Sequence, residues 1–356
     1  AMYVEAVVDV HNDNINDVLL RTTTGEWTYG THEIMAIRGN DGAHLWEHSI
    51  TGDEPAIWAY GVSDLNGDTK NDVLMATRLG TIGNRTADIM AKRGEDGINL
   101  WQETFNGYDA SGMPSEVSDL NSDGYADVLV ETKVGSSSNR TIEFTARKGS
   151  DGTHLWQESV TGNSPVLNVG EVGNMDGDGV PDFLARSRVG LSPNRTSELI
   201  ALKGNNGTHL WQETITGQIP VIYDREIDDF DGDGLLDVLA NYYVGPVSNT
   251  TYSWMSIKGN NGAHFWQQSI TGESASMWAE NVGDVDGDST PDFLISTMVG
   301  PLSSRSAAAN MQSGVGGAPL WSTGLLTGDG AMYGLDGVGD FNGDGLADII
   351  LYSSVG

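Results

Sequence analysis

Seven short stretches carry oxygen-bearing side chains at one repeated spacing: DVHNDNIND (9–17), DLNGDTKND (64–72), DLNSDGYAD (119–127), NMDGDGVPD (174–182), DFDGDGLLD (229–237), DVDGDSTPD (284–292) and DFNGDGLAD (340–348). The shared pattern is D-x-[DN]-x-D-G-x-x-D, with carboxylates or amides at positions 1, 3, 5 and 9 and a turn-forming residue at position 6. A hard cation takes six or more oxygen ligands, and a tight loop of short acidic side chains closed by a further carboxylate supplies them. The pattern assigns as side-chain ligands Asp9, Asp13 and Asp17 in the first loop and Asp64, Asn66, Asp68 and Asp72 in the second. Asp119, Asn121, Asp123 and Asp127 follow, then Asn174, Asp176, Asp178 and Asp182. The fifth loop offers Asp229, Asp231, Asp233 and Asp237, the sixth Asp284, Asp286, Asp288 and Asp292, and the seventh Asp340, Asn342, Asp344 and Asp348. The main-chain carbonyls of position 7 complete each set: Ile15, Lys70, Tyr125, Val180, Leu235, Thr290 and Leu346.

An ion-free Asx turn is the other reading of one such loop. Seven in register weigh against it, because three or four carboxylates held together repel strongly without a counter-ion. Calcium, up to seven ions, is the expected cofactor; magnesium prefers a rigid octahedron that keeps several waters. The loops are not EF-hands, since the twelfth residue is Met75 in the second and Val130 in the third where a bidentate Glu would stand. The fifth and sixth loops, with four carboxylates each, should bind tightest, and the first, with His11 at position 3, weakest. Asn174 at position 1 and Thr69 and Ser289 at position 6 also depart from the pattern.

The rest of the composition narrows the classes of function. Acidic residues number 50 against 18 basic ones, a net charge of −32 over 356 residues, so nucleic acid is excluded as a partner by repulsion. Of those acids, 23 stand at ligand positions, and seven divalent ions would bring the net charge to −18. The chain has no cysteine, which removes disulfides, thiolate metal sites and cysteine nucleophiles. No run of 18 apolar residues is present, so no membrane-spanning helix is expected. Hydrophobic residues at 38%, with 10 Trp, 11 Tyr and 7 Phe, are enough for a substantial core.

The elements that position the loops follow from an internal repeat. Trp46, Trp101, Trp156, Trp211, Trp266 and Trp321 are each 55 residues apart, and the acidic loops keep the same beat until a last interval of 56. Within one unit, EPAIWAYGV, DVLMATRL, ADIMAKRG and INLWQETF are short runs bounded by Gly, Asn and Asp turns, with no helical period between them. Four antiparallel strands repeated at this length describe a propeller blade; a solenoid is the competing architecture, and the turn chemistry at every strand end favours hairpins. The acidic loop joins the first and second strands. Seven such hairpins but only six pairs of third and fourth strands predict an all-β, seven-bladed β-propeller of four-stranded antiparallel blades, the last incomplete, as one domain over 1–356.

A strand running into GDFNGDGLADIILY, as at Gly339–Tyr352, resembles the FG-GAP or VCBS-type repeat of integrin α-subunit propellers and of many microbial surface proteins. That resemblance implies calcium held between the two inner strands of each blade, on the side opposite the usual ligand face. The turns DGAHLW, DGINLW, DGTHLW, NGTHLW, NGAHFW and GGAPLW are similar to the tryptophan-docking motif of quinoprotein dehydrogenase propellers, which implies Trp packing between blades. His44, His154, His209 and His264 recur in these turns, so they read as turn residues and not as one catalytic site.

Ligand recognition belongs to positions where the repeats disagree. Six residues before each loop stand Tyr3, Trp58, Met113, Asn168, Tyr223, Trp278 and Gly334, and two residues further on Glu5, Tyr60, Ser115, Gly170, Arg225, Glu280 and Asp336. From these, Tyr3, Trp58, Tyr60, Tyr223, Arg225, Trp278 and Glu280 are the candidate ligand-binding residues, suited to a glycan or a surface-protein ligand. Asn84, Asn139, Asn194 and Asn249 each open an N-x-T acceptor sequence that also serves as an ordinary turn. No acid, base or nucleophile pairing stands out, so no catalytic residue is assigned. The expectation is an extracellular binding or adhesion module, secreted or part of a larger surface protein. A polysaccharide lyase, as in rhamnogalacturonan lyases with calcium-loop propellers, and a structural surface-layer module are the alternatives.

Overall fold

The computed structural model describes residues 1–356, the side chain of Leu335 excepted. Among the described residues the only helical segments are the single turns Val247–Asn249 and Leu302–Ser304; the remainder is strand, turn and loop. The chain divides into two compact units, Ala1–Glu171 with Gly204–Gly207, and Val172–Lys203 with Thr208–Gly356.

The first unit contains three sheets of four strands. Their strands are Met2–Val8, Asp17–Glu26, Tyr29–Ile37 and His44–Asp53; Ala56–Val62, Asp72–Leu79, Arg85–Lys92 and Asn99–Gly107; and Ser111–Val117, Asp127–Ser136, Asn139–Arg147 and His154–Gly162. A fourth sheet starts where the first unit gives way to the second in sequence: Val166–Gly173, Asp182–Val189, Arg195–Leu202 and His209–Gly217. In the second unit follow Val221–Asp228, Asp237–Val244, Thr250–Ile257 and His264–Gly272, then Ser276–Gly283, Asp292–Val299, Arg305–Gln312 and Pro319–Ser322. In this sixth sheet the short strand Leu326–Gly328 also pairs with Arg305–Gln312. The seventh sheet is only Met332–Gly339 with Asp348–Ser354. Strands follow chain order within every sheet, as antiparallel hairpins. Seven successive antiparallel sheets, the last cut to two strands, are the all-β, seven-bladed propeller class that the hairpin count predicts.

In the second to sixth blades the second strand is buried on both faces at its start, so it reads as a continuous apolar run: Val73, Leu74, Met75 and Ala76 are all fully buried. First strands alternate instead, with Ile57 and Ala59 inside and Tyr60 outside. The core lies between successive sheets. Val10, Leu19, Ile34 and Trp46 of the first pack with Ile57, Val73, Met75 and Met90 of the second. Met175, Leu184, Leu199 and Trp211 pack in the same way with Ile222, Val238, Met255 and Ile257. Each such side chain contributes about 1.5–3 kcal/mol on burial.

The repeated tryptophans tie one sheet to the next. Trp46 Nε1 donates to the carbonyl of Gly94 at 2.6 Å, Trp101 to Gly149 at 2.8 Å, Trp156 to Gly204 at 2.6 Å and Trp211 to Gly259 at 2.7 Å. Each indole also lies flat against the turn glycine three residues further on; a Cβ on Gly152, at φ +73°, would come within 2.7 Å of Trp101. Glycine is therefore required there twice, for the left-handed turn and for the close approach.

Candidate metal loops and the aromatic positions

All seven acidic loops share one backbone design. The residue at position 2 is an apolar anchor in five of them, where Val10, Leu65, Leu120, Met175 and Phe230 are fully buried. Its N–H donates to Oδ2 of the position-9 aspartate in every loop, at 2.7–3.1 Å. The carboxylate at position 1 accepts N–H groups from positions 4 to 6; Asp229, for example, takes Gly232, Asp233 and Gly234 at 2.8, 3.1 and 2.9 Å. The position-7 N–H donates to the position-5 carboxylate throughout, at 2.8–3.0 Å. The chain enters the left-handed region twice, at positions 4 and 6, as at Gly232 (φ 75°) and Gly234 (φ 84°). Thr69 (φ 72°) and Ser289 (φ 71°), which depart from the glycine pattern, adopt the same turn. The acidic network holds them there although a Cβ disfavours it.

This design turns carboxylates inward. Oxygens of Asp229, Asp231 and Asp237 lie within 4.8 Å of one another, as do those of Asp284, Asp286 and Asp292. In the second loop, Asp68 Oδ2 is buried without a hydrogen-bond partner. The position-9 aspartates Asp17, Asp72, Asp127, Asp182, Asp237 and Asp292 are almost wholly buried. Burial pushes the Asp72 carboxyl up to about 7, with Asp68 and Asp64 adding repulsion. Burial raises Asp237 to about 6, and Asp127 and Asp292 in the same direction. Desolvation and the repulsion of neighbouring carboxylates both penalise the charged form of these groups. An all-oxygen donor set, an orphaned buried oxygen and mutually repelling carboxylates fit a hard cation.

The first loop differs. His11 fills its middle, Nδ1 2.6 Å from Asp17, Nε2 3.0 Å from Asp13 and Nδ1 3.7 Å from Asp9. The hydrogen bond to Asp17 raises the imidazole above its ordinary value. In the fifth loop a cation of the chain itself is present: Lys258 Nζ contacts Asp231 and stands 2.7 Å from Asp233. Lys203 contacts Asp176, and Lys148 Nζ lies 3.1 Å from Asp123. Sequence reasoning missed these lysines, although the signal was there: a basic residue follows the third strand in five blades, as Arg38, Arg93, Lys148, Lys203 and Lys258.

Of the candidate ligand residues, Tyr3, Trp58, Tyr223 and Trp278 lie in the first half of their first strands, away from the loops, and Tyr60, Arg225 and Glu280 lie mid-strand. In the first unit, Tyr3 is exposed with the Arg21 guanidinium 5.1 Å from its ring centre. Trp58 is half-buried with Arg78 5.7 Å above it, and the Tyr60 hydroxyl donates to Met113 Sδ at 3.1 Å. In the second unit, Tyr223 has Arg225 at 4.7 Å and Arg186 at 5.9 Å from its ring. Arg225 Nε donates to Asn241 Oδ1 at 2.8 Å. Trp278 is 60% exposed beside Trp254. Burial raises the Glu280 carboxyl, with Asp336 and Glu226 adding to the shift.

A residue that the repeat comparison passed over joins Tyr3. Trp27, at the tip of the turn between Asp17–Glu26 and Tyr29–Ile37, is 78% exposed. An open cavity of about 290 Å³ lies between Tyr3, Arg21, Glu26, Trp27 and His32. His32 Nδ1 there is buried without a hydrogen-bond partner, and Arg21 Nε is ion-paired with Glu5 at 3.0 Å. Trp27 was detectable in sequence as a tryptophan off the 55-residue beat.

Residues 229–295, which contain the fifth and sixth loops, match the family model described as FG-GAP-like repeat. No curated protein matches the chain. Among solved structures, the rhamnogalacturonan lyase PL11 of Bacillus licheniformis is 13% identical, with 99% of this chain and 74% of that one covered, at a TM-score of 0.35. The exotype rhamnogalacturonan lyase YesX is 14% identical over 97% of this chain and 72% of its own, also at 0.35. The uncharacterized protein lmo1340 of Listeria monocytogenes EGD-e is 10% identical over 92% and 84%, at 0.30. Likenesses at such TM-scores carry no argument about activity or ligand.

Proposed function

We propose that this FG-GAP-type repeat chain is an extracellular propeller module that binds a glycan, with its blades stabilised by calcium in the acidic loops. The cavity beside Trp27 carries the glycan reading. A saccharide offers flat C–H faces and directional hydroxyls. Trp27 and Tyr3 supply aromatic faces at the rim. Glu26 and the unpartnered His32 Nδ1 supply polar groups beneath them, beside the Arg21–Glu5 ion pair. The exposed Trp278 and the Tyr223–Arg225 pair offer similar chemistry in the second unit.

Calcium is supported by the converging carboxylates of the fifth and sixth loops and the orphaned oxygen of Asp68. Its role is structural: it neutralises charge that otherwise opposes the fold. The extracellular assignment follows from that cofactor, because extracellular modules bind calcium at about 10⁻⁴–10⁻³ M, a concentration found outside cells. A surface-protein ligand is the nearest alternative occupant of the same aromatic positions.

The test is tryptophan fluorescence of the full chain in calcium, titrated with a panel of neutral and acidic oligosaccharides, for wild type and Trp27→Ala. A saturable change lost in the variant is expected. A panel that produces no saturable change, or one that Trp27→Ala leaves intact, overturns the glycan site. The same acidic polysaccharides are then followed in the ultraviolet: growth of unsaturated ends would replace binding by lyase chemistry.

A further inference from the structure

The repeat places one positive charge beside its own acidic loop in blade after blade. Lys148, Lys203 and Lys258 directly follow the third strands, 55 residues apart, and each ammonium reaches a carboxylate at position 3 or 5: Asp123, Asp176, and both Asp231 and Asp233. Their backbones are fixed. Lys258 N–H donates to the carbonyl of Ala263 and its own carbonyl accepts from Gly262, at 2.8 and 2.9 Å. The next residue, Gly259, donates to Asp237 Oδ1 at 2.9 Å. The lysine is thus stapled to the loop it faces, and only its side chain can swing away. In the sixth blade the same position is Ser313, whose hydroxyl donates to the carbonyl of Val315. The sixth loop keeps four carboxylates but has no lysine of this kind.

We propose that Lys148, Lys203 and Lys258 are built-in counter-ions. They neutralise the third, fourth and fifth loops when metal is absent and must leave before a divalent cation can enter. The inference rests on the calcium reading of the loops and adds a hierarchy to it. The fifth and sixth loops have equal carboxylate counts, yet the sixth binds calcium more tightly, and the fifth depends less on calcium for its folded shape. Coulomb attraction between an ammonium and two carboxylates about 3 Å away is strong enough to compete. Partial exposure of the lysines, from 23% to 33%, moderates it.

The experiment is calcium titration calorimetry on chelator-stripped full-length chain, with melting curves in calcium and in chelator. Four proteins are compared: wild type, Lys258→Met, Ser313→Lys, and Lys133→Met as a charge control, since Lys133 pairs with Glu131 away from any loop. Lys258→Met should tighten one site about tenfold, within the usual range for coupled sites. It should also lower the melting point in chelator and leave it unchanged in calcium. Ser313→Lys should do the reverse for one site, and it reads the proposal even if Lys258→Met folds poorly. Unchanged affinity in both variants, or an equal gain in Lys133→Met, overturns the counter-ion role. A wild type that takes up no calcium overturns the calcium reading itself, before any variant is compared.

Discussion

Trp101 and Asp127, on different blades, hold the same residue from its two sides. Gly149 gives its N–H to Asp127 Oδ1 at 3.0 Å and takes the indole N–H of Trp101 on its carbonyl at 2.8 Å. The arrangement recurs at Gly94, between Asp72 and Trp46, and at Gly259, between Asp237 and Trp211. The closing carboxylate of an acidic loop and the docking of the preceding blade therefore share one glycine.

That glycine tolerates no side chain. A Cβ on Gly149 would lie 2.2 Å from the Ala126 carbonyl oxygen and 3.2 Å from Leu65. Gly149→Ala should cost about 2 kcal/mol or more through overpacking. Trp101→Phe, which keeps an aromatic ring but leaves the Gly149 carbonyl without its donor, should cost about 1 kcal/mol. Urea unfolding of both variants checks these values, and a neutral Gly149→Ala would show that the Gly149 link is dispensable.

The metal contribution should be separable from the fold. Asp288 lies in the sixth loop, where no lysine substitutes for a cation. Asp288→Ala should lower the melting temperature in millimolar calcium and barely change it in chelator. One site of about 10⁻⁴ M affinity adds about 1.4 kcal/mol at that calcium concentration. Equal losses in both conditions would make the loop an ordinary turn.

The first loop is one substitution away from its neighbours. Because His11 occupies the centre of its carboxylates, His11→Asp should add one bound calcium per chain, or tighten the weakest site. Metal counting by elemental analysis after equilibrium dialysis reads this directly. An unchanged count and affinity would place the limit in the loop backbone and not in His11.

The raised carboxyls set a pH dependence with a definite sign. Asp72 at about 7 and Asp237 at about 6 stand above the ordinary carboxylate value near 3.9, so the folded chain holds these protons more tightly than the unfolded one. Their stabilising effect is complete below about pH 4 and is lost as pH rises through 6 to 7. Calcium bound in the loops would replace those protons. The gap between melting points in calcium and in chelator should therefore be small at pH 5 and wide at pH 8; a flat gap would contradict the assignment.

Much of this was legible in the sequence because it repeats. The acidic spacing located the seven loops, and the glycine-like demand of position 6 held even at Thr69 and Ser289. Tertiary reach was less visible. Lys258 is 27 residues from Asp231 in the chain, and only the folded hairpin puts its ammonium beside that carboxylate. Position 2 gave no signal because Val10, Leu65, Leu120, Met175 and Phe230 share only hydrophobicity. The N-x-T stretches read as exposed turns, and Asn84 is exposed, but Arg85 next to it turns inward to Glu54 and Asp109 at 2.8 and 2.7 Å. The ligand cavity was the least legible, because its most exposed ring, Trp27, has no counterpart in the other blades although the turn around it, from Gly25 to Thr31, keeps the 55-residue beat.

The indole ties of the first four sheets reach forward by 48 residues, each to the immediate successor, whereas Trp266 Nε1 of the fifth sheet is buried without a partner. Each sheet is itself a local meander. Stability within each unit is then close to a nearest-neighbour sum, as in a one-dimensional Ising chain. Damage to one junction should loosen the two sheets that meet there and fade with distance along the chain. Native-state hydrogen exchange would record it as a gradient of protection instead of a single cooperative step.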